Sequence, residues 1–271
     1  MKNVRRIMCL TLCLFIFSCD DSVDETQEDV ILMSKNLEQL NYIEYQDALD
    51  ISNQLISESM EYLENLEYRE QSESEIKNEF YNQSTVLTNL SNVLEYDTEI
   101  VPDNYNQFDI QIEISDINNS EFLNEIQKDY ASNLLNAVEQ NNFDELIRIK
   151  DSFKNDVVSN PELRIFNSGI ALIESAQMYM NSNGDYSYTT FGDDDCLHAT
   201  LVGGVMGGVY GMISGAIGGG LSGVTLGFIF TGGILSVPAG GAGAVAGATS
   251  GGFLGFLGGA ILGYLGCLIF G

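Results

Sequence analysis

The sequence predicts an all-α protein in two parts: an acidic domain of about five amphipathic helices, then a C-terminal glycine-zipper helical hairpin that crosses a membrane. Three observations carry that expectation. Apolar residues recur at three-four spacing through the middle of the chain, glycine falls on every fourth position in two runs near its end, and charge is confined to one side of residue 199. The 271 residues carry a formal charge of −28, yet the last 73 contain no Lys, Arg, Asp or Glu. Between Cys19 and residue 198 stand eight basic and 39 acidic residues, a net of −31. Phosphate binding needs a basic surface, so nucleic acid is excluded as a partner.

Residues 1–18 read as a processing signal. "MKNVRRIMCLTLCLFIFSC" has a basic start, an apolar stretch from Ile7 to Phe17 and a small residue before Cys19, the layout of a secretory leader and too short for a stable span. "IFSC" resembles a lipobox, which implies cleavage before Cys19 and lipidation of its thiol. The following "DDSVDE" is similar to the acidic export tag of Bacteroidota surface lipoproteins, and residues 19–40 read as a solvated tether. The expected location is the outer membrane or cell surface.

The domain from 41 to 180 is built of helices. Tyr45, Leu49, Ser52, Leu55, Ile56, Met60, Leu63 and Leu66 follow the helical spacing, as do Ile76, Phe80, Leu87, Leu90 and Leu94, and then Leu123, Ile126, Tyr130, Leu134 and Val138. A shorter helix covers Phe143 to Val158. "SNPELRIF" supplies Asn160 as a cap and Pro161 as first residue of another helix reaching about Met180. "QFDIQIEIS" departs from the pattern: Phe108, Ile110, Ile112 and Ile114 alternate with polar residues, as in a half-buried strand or an extended segment laid over the helices. It is also where a protein partner of the acidic domain would pair. Residues 181–198, with "NSNGDYSYTTFGDDD", read as a linker.

The last segment, 199–271, is one object. Glycine recurs at Gly203, Gly207, Gly211, Gly215, Gly219, Gly223 and Gly227, the phase breaks at "TGGILSVPAGG", and the beat restarts at Gly243, Gly247, Gly251, Gly255, Gly259 and Gly263. Two arms of roughly 30 residues, with a turn at Gly232, Gly233 and Pro238, make a hairpin able to cross a hydrocarbon layer. In water each glycine weakens a helix by about 1 kcal/mol relative to alanine. In lipid the helix is enforced because nothing else satisfies the backbone, and small residues four apart let two helices pack closely. The stripe should then face another helix, with Val205, Met206, Ile213, Ile217, Leu226, Phe228, Phe253, Leu257, Ile261 and Leu265 supplying bulk elsewhere. A buried helical pair inside a globular domain is the weaker expectation, since 73 uncharged residues need more cover than the N-terminal helices provide.

Once Cys9 and Cys13 leave with the leader and Cys19 carries lipid, Cys196 and Cys267 remain in an oxidising compartment. An antiparallel hairpin brings them together, which predicts a disulfide. "DDDCLH" offers Asp193, Asp195, Cys196 and His198 as metal ligands, but one Cys and one His are too few for a zinc site, and no metal or cofactor is expected. A single His leaves no nucleophile–base pair, and the carboxylates form no distinctive motif, so the expectation is a protein that is not an enzyme.

A lipidated cysteine with paired glycine-zipper arms resembles the two-helix glycine-zipper lipoproteins of bacterial envelopes, the 17-kilodalton surface-antigen class. The zipper is also similar to membrane-active bacteriocins and glycine-zipper toxins. The resemblance covers the leader and about the last 70 residues, and implies a lipid bilayer and a second copy of the hairpin as partners. Two roles follow as expectations: a membrane-permeabilising effector, or a structural lipoprotein presenting the acidic domain.

Overall fold

A computed structural model describes residues 42–66, eight positions between Glu75 and Val86, and residues 112–182, 195–231 and 236–270; the side chains of 195, 219–231, 236–243 and 268–270 lie outside that description. The leader, Cys19, the tether and most of "QFDIQIEIS" therefore fall outside the described residues.

The first helix, α1 (Tyr45–Glu64), buries Ala48, Ser52, Leu55, Ile56, Ser59, Met60 and Leu63, the face its spacing marks out. Ser52 and Ser59 lie inside because their hydroxyls donate to the carbonyls of Ala48 and Leu55, each at 2.7 Å. Ile76 and Phe80 are helical and buried, and the Phe80 ring meets Tyr62 edge-on at 5.2 Å.

The predicted strand does not continue into the described residues. Ile112 is buried in irregular chain, and Ile114 opens α2 (Ile114–Asn119), where the Asp116 carboxylate accepts the Glu113 N–H at 2.8 Å. α3 (Glu125–Glu139) starts with a reciprocal cap: Asn124 accepts from the Gln127 N–H and Gln127 from the Asn124 N–H, both at 2.9 Å. Asn141, at φ 50°, turns the chain into α4 (Phe143–Ser159), capped by Asn142 on the Glu145 N–H at 3.1 Å.

The helix read into "SNPELRIF" begins later than expected. Pro161–Phe166 is a 3-10 turn, and α5 runs from Asn167–Ser182. Asn160 makes no N-terminal cap; its amide turns back to donate to the Asp156 carbonyl at 3.2 Å, satisfying the end of α4 instead. Ile170, Ala171, Leu172 and Ile173 are all fully buried, because α5 packs against α1, α4 and both arms of the hairpin.

The arms are α6 (Asp195–Thr231) and α7 (Ser236–Phe270), 37 and 35 residues long, or about 56 and 53 Å at 1.5 Å per residue. Both exceed the expected 30 residues or so. Pro238 lies in the first turn of α7 rather than in the turn between the arms, a place where its missing N–H has no intrahelical partner to lose.

One core joins the helices to the base of the hairpin. It contains Leu55, Leu134, Phe153, Phe166 and Ile173 together with Val205, Val209, Met212, Phe253 and Phe256. Val205, Met206, Ile213, Phe253 and Leu257, placed by the zipper pattern away from the glycine stripe, are buried here, and Ile261 is buried in a smaller cluster with Leu63 and Ile76. The expectation that the N-terminal helices offer too little cover underrated α5, whose four consecutive residues Ile170–Ile173 are buried on every side.

Candidate functional site

The site is the contact between the two arms. Gly203 faces Gly259 and Gly263, Gly207 faces Gly255 and Gly259, Gly211 faces Gly251 and Gly255, and Gly215 faces Gly247. A Cβ on Gly203 would stand 2.6 Å from the Gly259 carbonyl oxygen and 3.2 Å from the Gly263 Cα. At Gly207, Gly211, Gly215, Gly251, Gly255 and Gly259 the added carbon would overlap the opposing carbonyl still more severely. No side chain is small enough except hydrogen, and the approach permits Cα–H···O contacts between backbones. The predicted stripe therefore meets its partner within one chain. Gly219, Gly223, Gly227 and Gly243 lie on the same helices, but their surroundings are outside the described residues.

Cys196 and Cys267 close the open end of the hairpin. Their sulfurs are bonded at 2.05 Å with Cα atoms 5.3 Å apart, linking positions 71 residues apart in sequence. The Cys196 sulfur is thus taken up by the bridge. Among the described residues no group of three or more His, Cys, Asp or Glu side chains could hold a metal ion.

Four hydroxyls of the hairpin fold back on its own backbone. Thr200, Ser214, Thr249 and Ser250 donate to the carbonyls of Cys196, Gly211, Val245 and Ala246 at 2.6, 2.9, 3.0 and 2.9 Å. Such hydroxyls need no partner from outside the helix.

A second set of glycines escaped the four-residue reading. Gly204, Gly208 and Gly252 each follow a stripe glycine, and they point a different way. A Cβ at Gly204 would meet the Phe256 ring at 2.6 Å, at Gly208 the Leu172 methyl at 2.7 Å, and at Gly252 the Ser168 Oγ at 2.8 Å. From the other side, a Cβ at Gly169 would lie 2.6 Å from Met212, and the Gly169 N–H points at the Met212 sulfur at 3.2 Å. Ser168 also donates to the Ala248 carbonyl at 3.3 Å. The doublets "GG" at 203–204, 207–208 and 251–252 were the available signal: one glycine serves the opposite arm and its neighbour admits bulk from a second direction.

The far side of α5 is held by charge. Tyr45 donates to a Glu174 oxygen at 2.5 Å, and Lys154 reaches the same carboxylate at 2.9 Å. Burial pushes the Glu174 carboxyl up, but the Tyr45 hydroxyl and Lys154 ammonium outweigh it and leave the group below its ordinary value. Burial, then the neighbouring Glu174, raises the Tyr45 hydroxyl. Asn167 donates to the Ile43 carbonyl at 2.7 Å, and Lys150, its side chain buried, to the Gln177 amide oxygen at 2.7 Å. A further tie joins the hairpin to the chain before α2: the Ile112 N–H donates to the Tyr210 hydroxyl at 2.5 Å.

Two stretches, Cys196–Gly218 and Ala244–Cys267, are long and apolar enough to cross a membrane, and 67% and 61% of their most apolar windows are buried inside the protein. Comparison with known proteins finds no match to this chain, whether among family models, curated proteins or solved structures.

Proposed function

We propose that this chain is a non-catalytic, lipidated envelope or surface protein whose hairpin enters membranes and, in a bacteriocin-like way, permeabilises the bilayer of a neighbouring cell. The observation that supports this best is the hairpin itself: two apolar arms of spanning length, backbone against backbone, in a segment with no charged side chain. Transfer of such a pair into hydrocarbon strands few polar groups, since helix bonds satisfy the backbone and the hydroxyls of Thr200, Ser214, Thr249 and Ser250 are satisfied within their own helices. The Cys196–Cys267 bridge keeps both ends on one side, where a lipid on Cys19 would hold them to one leaflet.

Self-association belongs to the same reading, but the stripe is occupied by the opposite arm. A second hairpin would approach along α7, where Ala246, Ser250 and Gly258 are partly open and Leu262 is 52% exposed.

The shared core favours a second reading, a structural outer-membrane lipoprotein that presents its acidic helices to a protein partner, since helices and hairpin would then act as one rigid piece. Mature protein added to dye-loaded vesicles separates the two. Leakage lost in Gly211→Leu and Gly215→Leu supports the effector, whereas bound protein on tight vesicles supports the anchor. Protein that stays free of vesicles refutes both.

A further inference from the structure

We propose that α5 is a latch: in water it fills the seam marked by Gly208 and Gly252, and the hairpin enters a bilayer only when the seam opens. The proposal rests on the membrane reading above. Leu172 and Ser168 seat over Gly208 and Gly252, and Met212 of the hairpin seats over Gly169, so knobs pass in both directions across one contact. That contact is dry: Leu172, Ser168 and Met212 are fully buried.

The opposite face of α5 cannot follow the hairpin into hydrocarbon. Glu174 is bonded to Tyr45 and Lys154, Asn167 to Ile43, and Lys150 to Gln177, which fastens α5 to α1 and α4. Those helices carry many of the acidic residues, and ionised carboxylates are not moved into lipid at ordinary pH. The plane of separation is therefore the seam, crossed by the long Ser168–Ala248 bond and the Gly169–Met212 contact but by no charge, and not the polar face. Val209, Met212, Ile213 and Phe253, now covered by the bundle, would become lipid-facing when it opens.

The test uses full-length mature, oxidised protein and dye-loaded vesicles of anionic and zwitterionic lipid. Leu172→Ala should release dye about tenfold faster than wild type or more, because truncating a buried Leu removes contact that holds the seam shut. The pair L172C/G208C, once bridged across the seam, should release none. Release at the wild-type rate from the bridged protein overturns the latch and leaves the membrane reading standing. So does equal acceleration by Leu146→Ala, an equally buried truncation on α4, which packs on α3, α5 and the 3-10 turn. If the new bridge does not form, Leu172→Ala decides alone, and no acceleration overturns the latch. Vesicles left tight by wild type and Leu172→Ala alike overturn the latch together with the permeabilising reading, and protein bound to them leaves the anchor standing.

Discussion

Alanine placed at two glycines of the same helix should act in opposite directions. At Gly218 a Cβ meets nothing within 4 Å, so Gly218→Ala gains only the helix propensity of about 1 kcal/mol. At Gly211 the same carbon overlaps the Gly251 carbonyl and lies 3.1 Å from the Gly255 Cα. Both obstacles are backbone, so no rotamer relieves them and the arms must part. Overpacking of this kind costs about 1–3 kcal/mol, and the tightness here argues for the upper end. Subtracting the propensity gain leaves Gly211→Ala about 2 kcal/mol less stable than wild type. The two variants should then differ by about 3 kcal/mol, which at roughly 2–4 °C per kcal/mol for a chain of this size separates their midpoints by about 6–12 °C. Thermal unfolding of the mature protein, followed by circular dichroism at fixed concentration, reads this directly. If Gly211→Ala melts with or above Gly218→Ala, the arms are not in backbone contact there and the interlock is wrong.

The paired change C196S/C267S opens a loop of 71 residues and should cost about 4 kcal/mol in the chain-entropy model, seen as a lower urea midpoint that added thiol reproduces in the wild type. Tyr210→Phe removes the acceptor for the Ile112 N–H and should cost about 1–3 kcal/mol by the same assay. Glu174 titrates below its ordinary value in the folded state, so its contribution is complete above about pH 4.5 and fades as pH falls through the lower folded value. In Glu174→Gln that share of the acid sensitivity should vanish, flattening the fall of the urea midpoint as pH drops below about 4.5 relative to wild type.

Much of the fold is legible in the residues. The face of α1, the presence of α4 and the meeting of the two glycine runs follow from local periods, and the cysteine pair follows from the hairpin those runs make. What the period does not carry is the neighbour. Ile126 shares the spacing of Leu134 yet is 42% exposed, and Leu123 is buried ahead of α3 rather than within it. The alternation through Ile112 and Ile114 has the pattern of a strand, but Ile114 turns into helix where Glu113 and Asp116 bond to each other. α5 is the largest omission. "GIALI" shows that its middle is apolar all round, with Glu174 as the exception, and such a stretch must be surrounded, but nothing local says that the hairpin supplies one wall. The second use of the glycine doublets was hidden for the same reason.

A pattern repeating every four residues has a weakness of its own: sliding one arm past the other by one step, about 6 Å, brings glycine opposite glycine again. The zipper by itself admits several alignments of nearly equal energy. The bond between Cys196 and Cys267 selects one, because a slip of that size would carry the two Cα atoms, now 5.3 Å apart, beyond the span a disulfide bridges. Glycine makes close approach cheap at every step, and two sulfur atoms at the mouth decide which step the molecule keeps.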